Sequence, residues 1–320
     1  MIRVTLFTQQ NCPRCDEIRD KLVDLQQEIP HQLVEIDIAE DPLLQREYSG
    51  SVPVVQAGPY TLEGDFSERH LLVTLAAARD RGLQQATPPG APRRFMIRFN
   101  RFARSLARHW VAIFNGALFL YVSLPFLAAV FMHAGMNTPA RVIYRIYNPL
   151  CHQLAYRSWF LFGEQAYYPL ESTNPDVVTY EQVSGLEGDD LLGARAFIGD
   201  EELGYKVALC QRDVAIYASM LAAGLVFAFF RERIKPLPLY AWLLMGILPM
   251  ALDGGTQLLS SLPWLSFSLR ESTPFLRTIT GTLFGVANIW MAYPYLQESM
   301  QEVNLMATTN ILTVEKVKST

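Results

Sequence analysis

Residues 110–134 run for 25 positions without a formal charge. A helix rising 1.5 Å per residue needs about 20 apolar residues to cross the ~30 Å hydrocarbon core of a bilayer. The residues in front of this run decide how such a span inserts. Arg93, Arg94, Arg98, Arg101, Arg104 and Arg108 precede it, and residues 93–109 contain no acid. Basic residues beside a span stay on the cytoplasmic side, so the first span is expected to enter from inside. Three further apolar stretches follow: 214–230, 236–252 and 278–296, the last ending in an interfacial belt of Trp290, Tyr293 and Tyr295. Arg231, Arg233 and Lys235 fall between the second and third, which returns that loop to the inside. The sequence therefore predicts a helical membrane domain of about four spans over 110–296. Its segment near 135–213 is expected outside the inner (plasma) membrane, with both termini in the cytoplasm. Two weaker stretches, 142–162 and 254–269, read as interfacial or re-entrant, and Arg145 and Arg157 keep the first away from lipid.

Composition agrees. Half of the 320 residues are apolar and 18% are charged, which excludes a disordered chain and argues against a single water-soluble globule. The net charge of −4 conceals an acidic first part, with 8 basic and 14 acidic side chains in residues 1–92. The one basic run abuts the first span and suits an amphipathic helix on anionic membrane lipid or a solvated orienting helix. A nucleic-acid partner is not expected, because that would place the basic patch on a folded domain. Four pieces follow: a domain at 1–85, a Pro/Arg-rich linker at 86–109, the membrane domain at 110–296, and a polar, loosely ordered tail at 297–320.

The first piece has no secretory leader pattern and alternates as an α/β unit. Strands are expected at 2–8, 32–38, 52–56 and 60–62, and helices at 16–29, 41–48 and 67–81, in the order βαβαββα. Cys12-Pro13-Arg14-Cys15 falls between the first strand and the first helix. Backbone N–H groups and the helix dipole at that place stabilise a thiolate on the first cysteine, and the second can resolve a mixed disulfide. Pro53 opens the third strand, where a cis bond beside the dithiol would orient an extended peptide. No second CxxC in this piece completes a zinc site.

With Cys12, Cys15, Pro53 and the strand Glu35-Ile36-Asp37-Ile38, residues 2–80 resemble a glutaredoxin-like domain of the thioredoxin fold. The resemblance implies Cys12 as nucleophile and Cys15 as resolving thiol. Glutathione-using members carry Gly-Gly and a polar-Asp pair after the proline strand. This chain has Leu62-Glu63-Gly64-Asp65 instead, so glutathione use is not implied.

Cys151-His152-Gln153 and Cys210-Gln211-Arg212-Asp213 hold the other two cysteines. Three readings stay open: a Cys151–Cys210 disulfide, a zinc site from Cys151, His152, Cys210 and Asp213, or thiols in a redox relay. Asp253, followed by Gly254, Gly255, Thr256 and Gln257, ends the third apolar stretch. An acid at that depth faces a polar cavity or a cation, and the glycines let the helix break. Arg270, Arg277 and Thr280-Gly281-Thr282 are candidate partners, and an interfacial Asp253–Arg277 salt bridge is the plainer alternative.

Together with Arg157-Ser158, Tyr217 and Pro249, these motifs resemble an uncharacterised membrane family, domain of unknown function 2085. That family commonly has Cys-x-Arg-Cys where this chain has Cys210-Gln211-Arg212-Asp213. The resemblance carries no activity. Two functions are left. One is a membrane-tethered thiol–disulfide oxidoreductase acting on a thiol/disulfide protein partner, in which any electron path to Cys151 and Cys210 needs a carrier such as a quinone. The other is a transporter or small-molecule site at Cys151, His152, Gln153, Cys210, Arg212, Asp213, Asp253, Thr256, Gln257 and Arg277, with the dithiol domain as redox sensor.

Overall fold

The computed structural model describes residues 2–84, 93–172, 174–231, 233–260 and 270–316. The expected proline linker at 86–92 lies outside them. The chain divides into two units: Met1–His109 with Ser299–Thr320, and Trp110–Glu298.

The first unit is built on a four-stranded sheet ordered β2-β1-β3-β4, from β1 (Ile2–Thr8), β2 (His31–Asp37), β3 (Val54–Ala57) and β4 (Tyr60–Glu63). β1 pairs parallel with β2 and antiparallel with β3, and β3 pairs antiparallel with β4. The helices are α1 (Pro13–Asp24), α2 (Pro42–Tyr48) and α3 (Glu68–Gln84). The βαβαββα order is as the periodicity predicts. The first helix begins three residues earlier than expected, because Pro13 at its first turn has no N–H to lose. It also stops at Asp24. Leu25 and Ile29 are still buried, in the turns that follow.

Alternation along β1 serves two cores. Val4 and Leu6 pack with Ile18, Leu22, Val55, Leu71 and Leu75, on the side of α1 and α3. Phe7 turns the other way, to Ile36, Leu44, Tyr48 and Val54. Two leucines a heptad apart, Leu305 and Leu312, complete this second core. They lie on α12 (Pro274–Lys316), a continuous helix of 43 residues. The tail from 297 is therefore helical as far as Lys316, not loose. Ala307, Ile311 and Val314 recur at helical spacing and are buried, with Thr308 and Thr313, in the first unit, while Val303 and Met306 are exposed. α4 (Arg93–His133) also contributes to this unit, where Arg104 pairs with Asp41.

Among the described residues, three helices are long and apolar enough to cross a membrane: Phe95–His133, Gln211–Phe230 and Leu239–Ser260. Only 28%, 22% and 11% of their apolar windows are buried within the protein, so most of that surface is left for lipid. The expected fourth stretch, 278–296, is helical within α12. α8 (Gln211–Phe230) and α12 approach closely: a Cβ on Gly285 would fall 2.1 Å from Ser219 Oγ and 2.4 Å from the Ile216 carbonyl oxygen. Only a glycine admits that contact, the small-residue packing of membrane helices.

The expected interfacial stretch 142–162 is a different object. It forms the end of α5 (Asn137–Tyr147) and then β5 (Ser158–Leu161). β5 joins a three-stranded sheet, β5-β7-β6, with β6 (Gly199–Asp200) and β7 (Gly204–Cys210). α6 (Tyr180–Ser184) and α7 (Leu191–Ala196) lie between β5 and β6 in the chain. Tyr144, Tyr147 and Cys151 pack against Ala208 and Leu209 of β7, while Val142, Ile146 and Leu150 stay exposed on the other side. Past α8, the segment Leu239–Ser260 alternates α9 (Leu239–Trp242), α10 (Leu248–Met250) and α11 (Thr256–Ser260) with two π-helical turns, Leu243–Ile247 and Ala251–Gly255. Gly254 and Gly255 thus widen the helix where a break was expected. Residues 261–269 lie outside the described ones.

Candidate functional site

The first candidate site follows from the end of β1. Asn11 takes a left-handed φ of 58°, which asparagine tolerates, and turns the chain into α1. Cys12 is the N-cap of α1, and its Sγ accepts the backbone N–H of Cys15 at 3.1 Å. The two cysteines are joined by a disulfide. Cys15 is buried, while Cys12 is partly exposed. An incoming thiol thus reaches Cys12 first. The Val52–Pro53 bond is cis. Val54 pairs with Phe7, so Pro53 stands at the end of the sheet from which the Cys12 loop departs. Gly64 donates its N–H to the Ser51 and Pro53 carbonyls, and the adjacent Asp65 is paired with Arg14 of the dithiol loop.

A second constellation lies in the other unit, and it gathers nearly all the residues that the motifs single out. A cleft of about 250 Å³ is lined by Cys151, His152, Gln153, Arg157, Cys210, Arg212, Asp213, Gln257 and Arg277, among others. Cys210 caps α8, and its Sγ accepts the Asp213 N–H at 3.4 Å. Cys151 Sγ accepts the Cys210 N–H at 3.4 Å. Both are free thiols. The neighbouring Cys151 thiol and burial hold the Cys210 thiol above the ordinary cysteine range. His152 faces outward, while Cys151 and Gln153 on either side are buried.

Asp253, 4% exposed, sits on the second π-helical turn. It accepts Arg212 at 2.6 Å, Arg270 at 3.3 Å, and the Ser272 hydroxyl at 2.7 and 2.8 Å on its two oxygens. The expected Asp253–Arg277 salt bridge is not formed. Arg277 instead reaches Glu271, and donates to Gln211 Oε1 at 3.1 Å. Glu271 also accepts Arg157 at 2.7 and 2.8 Å and Gln257 at 2.8 Å. Thr256 accepts a hydrogen bond from Arg270. Arg157, Arg212, Arg270 and the buried Arg277 thus each reach a carboxylate.

Sequence reasoning missed Glu271, Ser272 and Lys206. The signal for Glu271 was its place in Arg270-Glu271-Ser272 between two apolar segments, where any ionisable group needs a partner. Lys206 is fully buried in β7 and donates at 2.8 Å to the carbonyls of Gln153 and Arg195. Burial pushes its pKa down to about 7. Gln153, at a left-handed φ of 54°, donates to the carbonyls of Tyr144 and Ala208. These bonds clamp the Cys151 loop onto β7 and fix the thiol in place.

Comparison with known proteins matches each unit separately. Residues 3–75 match the family model of the glutaredoxin-like domain (DUF836). Residues 201–291 match that of a predicted membrane protein family (DUF2085). An uncharacterized protein of Methanocaldococcus jannaschii is 24% identical over 199 residues, 60% of this chain and 96% of that protein. The chain is thus a fusion of a glutaredoxin-like domain with a membrane region of the DUF2085 type.

Proposed function

We propose that this protein is a membrane-bound thiol–disulfide oxidoreductase whose Cys12/Cys15 pair exchanges electrons with a protein partner. The observation that carries the reading is the asymmetric dithiol at a helix N-terminus, with the attackable Cys12 as cap and the buried Cys15 one turn on. In the reducing direction, the Cys12 thiolate attacks the partner's disulfide. A mixed disulfide forms and one partner thiol leaves. The Cys15 thiolate then attacks Cys12 Sγ, closing the Cys12–Cys15 bond and releasing the second partner thiol. Two electrons and two protons pass to the partner. The six arginines of 93–108 and the basic Arg231, Arg233 and Lys235 support a cytoplasmic side for this chemistry, at the inner membrane.

The test uses the full-length protein in detergent, reduced and then mixed with a fluorescent disulfide. The wild type consumes it. Cys12→Ser is inactive, and Cys15→Ser stalls as a mixed disulfide on Cys12, read by mass. Turnover by Cys12→Ser at the wild-type rate would refute the proposal and leave the domain a docking module.

A second reading rests on the cleft lined by Arg157, Arg212 and Arg277, whose charge suits an anionic small molecule. In that case the membrane unit transports or binds it, and the dithiol senses redox state. Asp253→Asn then spares disulfide exchange and abolishes transport.

A further inference from the structure

The structure assigns a second site to the protein, independent of Cys12 and Cys15: Cys151, Cys210 and Asp213 form a three-ligand site for a thiophilic divalent cation, of which zinc is the type. Their ligand atoms, two sulfurs and a carboxylate oxygen, all lie within 4.8 Å of one another. Tetrahedral zinc with bonds of ~2.0–2.3 Å sets its ligands ~3.3–3.8 Å apart, so a small side-chain adjustment closes the sphere. Two thiolates with one carboxylate suit zinc and exclude magnesium and calcium, which take oxygen ligands.

The surroundings are those of a built site. The backbone N–H groups of Cys210 and Asp213 point at the two sulfurs at 3.4 Å, and such bonds orient ligands and steady their charge. Cys210 and Asp213 are held by the first turn of α8, and Cys151 by the Gln153–Lys206 clamp. Charge also balances. The cation displaces the two thiol protons and forms two metal–sulfur bonds, so the formal charge of the cluster is unchanged. Four guanidinium groups, Arg157, Arg212, Arg270 and Arg277, already face the carboxylates Asp253 and Glu271. All three ligands line the same cleft as Arg157, Arg212 and Arg277, and its volume of about 250 Å³ leaves room for a fourth ligand from solution. Three protein ligands with an open position is the arrangement of a reactive rather than a purely structural metal site.

The experiment uses the full chain in detergent, carrying Cys12→Ser and Cys15→Ser to remove the other dithiol. Cobalt(II) is titrated in, followed by zinc. One equivalent of cobalt is expected to bind with sulfur-to-cobalt charge-transfer absorption, which zinc then bleaches. Asp213→Asn is expected to weaken binding at least ~10-fold, since even losses outside the ligand shell cost 10–100-fold. Cys210→Ser abolishes the charge-transfer bands. Asp213→Cys retains binding and strengthens those bands through a third sulfur, which shows that the substituted chain is folded. Absence of charge-transfer absorption in the Cys12/Cys15 double variant would overturn the proposal. So would bands unchanged by Cys210→Ser, or a Cys151–Cys210 disulfide found by mass in protein taken directly from membranes.

Discussion

Two cysteine pairs in this chain begin from the same local device. In each, a cysteine caps a helix and its sulfur accepts the backbone N–H three residues on, from Cys15 to Cys12 at 3.1 Å and from Asp213 to Cys210 at 3.4 Å. They differ in what occupies the third position and in where the second sulfur comes from. In α1 that position is itself a cysteine, so a dithiol is made within one turn and closes as a disulfide. In α8 it is an aspartate, and the second sulfur arrives from Cys151, 59 residues away. The helix N-terminus thus offers each sulfur a backbone N–H, while the neighbours decide what the sulfur is suited to. A thiol neighbour gives electron exchange. A carboxylate with a distant thiol gives a donor set for a cation.

The comparison breaks most sharply in activity. Cys12→Ser should abolish disulfide exchange by the full-length protein, while Cys151→Ser and Cys210→Ser leave it at the wild-type rate in the same fluorescent assay. Asp213→Cys should give α8 the same spacing as α1, and oxidation should then join Cys210 to residue 213, detected by peptide mass.

Next in size is the cost of disturbing the charge network beneath the second pair. Asp253→Ala leaves Arg212 unpaired where the acid was buried, and should destabilise the protein by ~3–5 kcal/mol in detergent-based unfolding. Among the described residues of the first unit, the most buried ion pair is Arg104 with Asp41, two groups rather than a network. The weak point of that unit is apolar: Leu312→Ala removes part of the cover over Phe7, Ile36 and Val54, for a loss of ~1–2 kcal/mol at a half-buried site.

The smallest effect near neutral pH belongs to Lys206. Its folded pKa of about 7 lies below the 10.5 of the exposed side chain. Between those values the unfolded chain binds the extra proton, so this residue makes stability rise with pH from about 7 to 10.5, and contributes no slope below 7. Lys206→Met should remove that rise, as followed by the unfolding midpoint in a pH series.

Much of the first unit was legible in the sequence. Its strands alternate, its helices are capped, and Cys12, Cys15 and Pro53 depend on contacts within about fifty residues of chain. The helical tail was missed although Ala307, Ile311 and Val314 recur at helical spacing, because polar residues outnumber the apolar ones there and the sheet that Leu305 and Leu312 cover is distant in the chain. In the membrane unit the motifs pointed to Cys151, Cys210, Arg212, Asp253 and Gln257 as chemistry-bearing residues. They offered several partners at once, and of those named for Asp253 it is Arg270 that the fold supplies. Arg277 was matched to Asp253 on proximity in sequence, whereas Glu271 takes it, because Arg212 and Arg270 already fill the Asp253 oxygens.

By itself, the sequence determined what is periodic or local: the α/β order of the first domain, the apolar helices, and a dithiol made within a single turn. Only the tertiary structure decided the pairing of charges, the clamp of Lys206 on the Cys151 loop, and the meeting of Cys151 with Cys210 and Asp213. The physical reason is range. Backbone hydrogen bonding and hydrophobic period act over a few residues and leave a pattern in the chain. Buried charges and metal-binding groups are satisfied by whichever partners the fold brings within a few ångströms, whatever their distance in sequence.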